Sequence, residues 1–229
     1  LEIHDMTALF AATELTFFFF FLGRGGKIGG IHVSGADFSR SDLEGWVARA
    51  QKLGASGLVW MRVKDEQTIE SPITKFLHDN FIAHLKTIYA DIAVGSVIFM
   101  VAGDYKKAWE VLGKMRLDVA RALKRIPSAM AFCWVTDFPL FEYDETTKRY
   151  NAMHHPFTSP QEGWQQQTPD QMKARAYDII FNGIELGGGS IRIHDSRMQA
   201  KVFELLGLSA DQTQQKFGFL LEALEYGFP

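Results

Sequence analysis

A chain of 229 residues, 47% hydrophobic and 22% charged, has the composition of a soluble globular protein with one large or two small domains. Its formal net charge of −3 gives no electrostatic case for holding nucleic acid by phosphate contacts. Its single cysteine, Cys133, excludes an intrachain disulfide framework, fits a reducing compartment, and reads as a small buried apolar residue.

Met6, Leu9 and Phe10 lie at helical spacing and predict a short helix within Leu1 to Thr13. Phe17 to Phe21, extended by Leu22, is far shorter than the roughly 20 apolar residues of a bilayer span. It follows Glu14 and lacks a basic flank, so it is a poor signal peptide. The run reads as a strand buried on both faces, Thr16 to Leu22, joined through Gly23 to Gly26 in a hairpin to a second strand, Lys27 to Val33. No Lys-Ser or Lys-Thr pair follows these glycines, which argues against a phosphate loop.

Ser41 to Glu44 has the form of a capping box, and Leu43, Trp46, Val47 and Ala50 make one apolar helix face that ends at Gly54. Leu58 to Val63 predicts a strand. A helix is expected from Ser71-Pro72 through Ile73, Leu77, Phe81, Leu85 and Ile88. Val94 to Val101 predicts a strand, and Asp104 can cap a helix with Ala108, Leu112, Met115, Val119 and Ala122 on its apolar face. His32, His78 and His84 lack ligand spacing and read as ordinary histidines. The irregular alternation predicts a two-layer α+β domain over residues 1–125, with the boundary in KRIPS, Lys124 to Ser128, and a second domain over 126–229.

In the second half, Met130 to Asp137, an extension to Tyr143 and a return strand from Tyr150 to His155 surround the polar turn DETTK. Thr168-Pro169-Asp170-Gln171 predicts a helix start. Tyr177 to Asp195, YDIIFNGIELGGGSIRIHD, reads as two strands about a turn at Gly187 to Gly189. Ser190 and Arg192 fall on one face of a strand. Asp178 and Glu185 differ by an odd number and converge only if the strand bulges, for which Asn182-Gly183 is the natural place. A hairpin with an ordinary charged solvent face fits the same residues. Two capped helices follow, one with Met198, Val202, Leu205 and Leu206, the other opening at Ser209 with Phe217, Leu220, Leu221 and Leu224.

In this order, WVTDFPLFEYDE, AMHHPFTSP, YDIIFNGIELGGGSIRIHD and KFGFLLEALEYGFP resemble the bacterial aspartyl-tRNA synthetases, a class II family, from Ala131 to the end. GRGGKIGGIHVSG and SPITKFL resemble, more weakly, the insertion (GAD-like) domain of those enzymes, which is shared with a tRNA amidotransferase subunit. The polyphenylalanine run departs from that pattern.

The resemblance implies part of the class II antiparallel catalytic sheet behind an insertion domain. It further implies a parent aspartate–tRNA ligase: a cytoplasmic homodimer, not membrane-bound, that activates L-aspartate with ATP and Mg²⁺ and transfers it to tRNA. By resemblance, Arg192 reads the aspartate side chain, His154 contacts the amino acid, and Ser190 and Gly188 line its pocket. His155 contacts substrate or phosphates, or only packs. Glu185 and Asp178 match the carboxylates for Mg²⁺, Glu185 also contacting ATP. The three class II motifs are not found, so the chain reads as an internal segment expected to be inactive alone, with no catalytic residue of its own to assign. The alternative is a non-catalytic, truncated synthetase paralogue or a freestanding module that binds tRNA or a partner.

Overall fold

The computed structural model describes residues 1–11, 15–78 and 80–227. The chain divides into two units, Leu1–Pro127 and Ser128–Pro229, each with a core of its own.

In chain order the first unit contains β1 (Ile3–Asp5), a 3₁₀ turn (Thr7–Phe10), α1 (Thr16–Leu22), β2 (Lys27–Val33), α2 (Arg40–Lys52), β3 (Val59–Val63), β4 (Ile69–Glu70), a second 3₁₀ turn (Thr74–Phe76), α3 (Phe81–Ile88), β5 (Val97–Gly103) and α4 (Tyr105–Ala122). Its strands form one antiparallel sheet in the order β1-β2-β5-β3-β4. Along β5, Val97, Phe99 and Val101 face α2 and α4, while Ile98, Met100 and Ala102 face α1, α3 and the Thr7–Phe10 turn. Both faces of the sheet are therefore covered, where the sequence pattern predicts two layers. β2 tolerates this crowding because it carries two glycines. A Cβ on Gly30 would collide with Met6, and one on Gly29 with Leu112.

Several expectations change. The phenylalanine run is helical, so Gly23 to Gly26 closes a helix and not a hairpin. A uniform run carries no period, and only packing orients it. Phe18 is buried edge-on against Phe10 at 4.8 Å, Phe17 meets Phe21 one turn on, and Phe19 and Phe20 remain exposed. The residues before the run form β1 and a 3₁₀ turn instead of a helix, and Ala12, Thr13 and Glu14 lie outside the described residues. The helix expected from Ser71 starts at Phe81, because Ser71 Oγ donates to Trp60 O and Thr74 Oγ1 to Ile69 O, which holds that segment as a 3₁₀ turn. The capping box of α2 is Ser39 with Asp42. Asp104 caps α4 through Lys107 N–H.

The second unit contains β6 (Phe132–Val135), β7 (Phe141–Asp144), β8 (Arg149–Ala152), a 3₁₀ turn (Trp164–Gln166), β9 (Ala176–Phe181), β10 (Ile184–Ser190), α5 (Ser196–Leu205) and α6 (Ala210–Glu225). β10, β9 and β6 form an antiparallel sheet in that order, and β7 with β8 a separate hairpin. The core joins Leu140, Phe141, Met172, Ala174, Ala176, Ile193 and Val202. The β9–β10 turn is Asn182-Gly183, both at positive φ (48° and 83°), as a two-residue type I′ hairpin demands. The three glycines expected to form that turn lie inside β10. Asn182 also receives Ala131 N–H on its side-chain oxygen and donates its own N–H to Ala131 O, both at 2.9 Å, which docks β6 beside the turn. The helix expected at Thr168 is a turn, Gln171 and Met172 donating to Thr168 O before the chain joins Leu140 and Phe138. Cys133 is exposed, because β6 is an edge strand whose four residues all face solvent in this chain. The box Ser209–Gln212 caps α6 as its sequence predicts.

One buried polar cluster makes a prediction. His32 Nε2 lies 2.8 Å from Ser96 Oγ, which also accepts Ala93 N–H, and His32 Nδ1 lies 3.3 Å from the exposed Asp91 carboxylate. Burial lowers the His32 pKa below its ordinary value of 6.5; Asp91 opposes this, and His4 and Arg125 add to it. A depressed pKa means that stability is complete above that value and is lost as pH falls through the folded pKa. As pH falls below about 6.5, the ordinary value, β5 amides should lose hydrogen-exchange protection, and His32→Gln should flatten that dependence. An unchanged slope in the variant would assign the acid sensitivity to other groups.

Candidate active site

Strand parity organises the site. Residues directly opposite in an antiparallel pair share a face, so Glu185, opposite Ile180, faces the same way as Asp178, two residues earlier. Gly188, opposite Asp178, shares that face too, although it is three residues beyond Glu185. The register shift between Glu185 and Gly187 reconciles the two: Leu186 is the extra residue of a bulge. Asp178 and Glu185 thus converge through the register of the Asn182-Gly183 turn and not through the bulge that strand parity predicts between them; the bulge lies three residues beyond that turn and brings Gly188 and Ser190 onto their face. With it, Asp178, Glu185, Gly188 and Ser190 converge, and Arg192 follows on the same side.

Gly188 is needed for this convergence. A Cβ there would collide with Asp178 Oδ1, and one on Gly189 would sit 2.9 Å from the Tyr177 hydroxyl oxygen. The carboxylate of Asp178 therefore lies directly against the β10 backbone.

The histidines arrive on the loop after β8. Thr158 N–H donates to His155 O at 3.2 Å, closing a turn. Gln199 of α5, itself buried, donates from Nε2 to Pro156 O at 2.8 Å. Ser159 N–H donates to Ile191 O and Ile193 N–H to Phe157 O, binding the loop alongside the Arg192 backbone. His154 meets the ring of Phe138 edge-on at 4.9 Å.

His155 lies at the centre. Its Nδ1 receives Nη1 of Arg192 at 2.8 Å and Phe157 N–H at 3.2 Å, and its Nε2 lies 3.2 Å from Ser190 Oγ. Burial, then the Arg192 charge, then His154, push the His155 pKa down. The buried Thr158 hydroxyl lies behind the wall, donating at 3.5 Å to Ser190 Oγ.

These elements enclose a cavity of about 320 Å³ lined by His154, His155, Asp178, Glu185, Gly188, Gly189, Ser190 and Arg192. All seven residues singled out in the sequence line this one cavity. Gly189, Thr158 and Gln199 were not singled out. Gly189 stands in the quoted glycine run and Thr158 in the HHPFTSP stretch, whereas nothing in the sequence marks Gln199. A second cavity, of about 330 Å³, lies on the other side of the His155–Arg192 pair, walled by Phe157, Ile193, Gln199, Leu220 and Leu224. The first is the larger concentration of charge: two carboxylates, a guanidinium and two imidazoles around bare backbone.

Among the described residues no group of three or more His, Cys, Asp and Glu side chains is placed to hold a metal ion. Asp178 and Glu185 offer hard oxygen donors on one face, which suits Mg²⁺ only where a substrate's phosphates and water complete its shell.

Residues 58–229 match the family of tRNA synthetases class II (D, K and N), and the chain belongs to that family. Among curated relatives it is 42% identical to the aspartate–tRNA(Asp/Asn) ligase of Desulfatibacillum aliphaticivorans, over the whole of this chain and 39% of the relative. It is 40% identical to the aspartate–tRNA(Asp/Asn) ligase of Persephonella marina, over the whole chain and 40% of that protein. With the aspartate–tRNA ligase of Ruminiclostridium cellulolyticum it shares 39% identity, over the whole chain and 39% of the relative. The chain thus spans about two fifths of the length of these relatives.

The close approach at Gly188 is testable by a double-mutant cycle. Gly188→Ala should destabilise the second unit by about 1–3 kcal/mol, the usual cost of overpacking. In an Asp178→Ala background the same substitution should cost much less, because the colliding carboxylate is gone. Equal costs in both backgrounds, read from urea unfolding, would show that the Asp178 contact is not the constraint.

Proposed function

We propose that this chain is the segment of an aspartate–tRNA ligase that carries the amino-acid pocket, with an insertion domain over residues 1–125 ahead of it. The observation that carries the proposal is the cavity joining Arg192, Ser190, Gly188 and both histidines to two carboxylates. A dicarboxylic amino acid needs a cation with fork geometry, and a guanidinium binds a carboxylate through two parallel hydrogen bonds. Arg192 is that group. One of its terminal nitrogens is held by His155, so the planar fork is oriented before any ligand arrives. Ser190 stands beside it as a hydroxyl contact, and Gly188 leaves the backbone open to the ligand. His154, set by Phe138, borders the amino-acid end of the cavity, and His155 completes the wall.

In the proposed reaction the α-carboxylate of L-aspartate attacks the α-phosphate of ATP. Aspartyl-adenylate forms and pyrophosphate leaves; a hydroxyl of the terminal tRNA ribose then takes the aspartyl group as an ester, and AMP leaves. Glu185 and Asp178 are the residues to hold Mg²⁺ with the ATP phosphates, Glu185 also facing the nucleotide. When bound, Mg²⁺ screens the phosphate charge. The protein's part is largely positioning and charge stabilisation. The partners proposed are L-aspartate, ATP, tRNA and, for the full-length enzyme, a second copy, in the cytoplasm. Among the described residues no helix is long and apolar enough to cross a membrane.

A chimera tests the proposal. This chain replaces the matching segment of the Desulfatibacillum aliphaticivorans ligase, and aspartate-dependent pyrophosphate exchange is measured. The chimera should be active, and the isolated 229-residue chain should not. Arg192→Lys keeps the charge and loses the fork, so kcat/KM for aspartate should fall about 10- to 100-fold with the KM for ATP little changed. Glu185→Gln should instead weaken Mg²⁺-dependent use of ATP. A folded but inactive chimera would favour the alternative of a non-catalytic module that binds tRNA or a partner.

A further inference from the structure

The Arg192 and Phe157 contacts to His155 have only one consistent direction. A guanidinium has no acceptor, and neither has a backbone N–H, so Arg192 Nη1 and Phe157 N both donate to Nδ1. Nδ1 therefore carries no proton. A neutral imidazole then carries its proton on Nε2, 3.2 Å from Ser190 Oγ, and donates it there. A doubly protonated ring would turn an N–H toward the guanidinium and lose both Nδ1 contacts. The pressures of burial, Arg192 and His154 all act in the same direction.

Ser190 Oγ receives this proton on one side and on another faces, at 3.5 Å, the Thr158 hydroxyl, which also lies 3.3 Å from His155 Nδ1 and 3.4 Å from Nε2. Its acceptor sites are turned inward, and its own O–H is left for the cavity that it lines. Both nitrogens of His155 are used within the wall.

We infer that His155 is a positioning residue: a neutral relay that accepts from Arg192, donates to Ser190, and so makes the Arg192–Ser190 wall a surface of donors only. A ligand group docked there must offer acceptors. A carboxylate does so with both oxygens, whereas the NH₂ of a carboxamide docked on that wall would face the Arg192 and Ser190 donors, the acceptors of the cavity being the separate carboxylates of Asp178 and Glu185. The identification of that ligand as the aspartate side chain rests on the proposed function above. The relay itself does not.

The tautomer can be read without any ligand. Long-range ¹H–¹⁵N spectra of the 229-residue chain, with His155 assigned by its loss in His155→Asn, should show a neutral ring protonated on Nε2 at about pH 7. A ring protonated on Nδ1, or on both nitrogens, overturns the inference. Two substitutions separate the relay from mere packing. Asparagine places a carbonyl oxygen near the position of Nδ1, so His155→Asn should keep the Arg192 guanidinium protons slow to exchange, while His155→Ala should speed their exchange about tenfold. Equal exchange in His155→Asn and His155→Ala would also overturn it. An inactive chimera with the Nε2 tautomer intact would remove the functional reading and leave the relay. An active chimera with the opposite tautomer would do the reverse.

Discussion

The site depends on one extra residue in one strand. Without the bulge at Leu186, Gly188 and Ser190 would project from the opposite face of β10 from Glu185 and could not join the two carboxylates in one cavity. Register in this hairpin is pinned at both ends. Asn182-Gly183 fixes it at the turn, and Gly188 fixes it where the Asp178 carboxylate lies against the backbone. Between those points the strand has one residue too many for a regular ladder, and the bulge absorbs it.

Around this hairpin the second unit builds support of a different kind. The histidine loop has no regular structure of its own, so its backbone groups are satisfied by neighbours: Pro156 O by Gln199, Phe157 O by Ile193 and Ser159 N–H by Ile191. Phe157 adds apolar weight by packing edge-on to Phe203 and Phe217, which stack on each other at 5.3 Å. The loop is thereby tied to the backbone on either side of Arg192. This is how a guanidinium from one segment and an imidazole from another come within 2.8 Å without a helix or strand in common.

The two units differ in how completely they bury their sheets. In the first, all seven residues of β5 are buried and helices cover both faces. In the second, Phe132, Trp134, Ile184 and Leu186 remain exposed in this chain. Apolar side chains of that size on the two outer strands of one sheet are an unusual surface for a soluble domain. In the proposed reading they belong to a larger catalytic sheet.

Local chemistry made much of this legible. Caps at Asp104 and Ser209, the apolar strand runs of β2 and β5, and the apolar faces of α4 and α6 are each encoded within a few residues. The seven candidate residues stood out because they lie in distinctive stretches, whereas parity placed a bulge between Asp178 and Glu185 where a two-residue turn brings the pair together. By itself the sequence could go no further where a signal was degenerate. Five identical phenylalanines have no period, and three consecutive glycines suit a turn or a strand equally. The structure decided both, through packing around Phe18 and through the competing Asn-Gly turn. Gln199 lies beyond any local reading, because its partner is 43 residues away. Only the folded chain brings such groups together, since a hydrogen bond's direction and a cavity's wall are properties of atoms in space and not of their order.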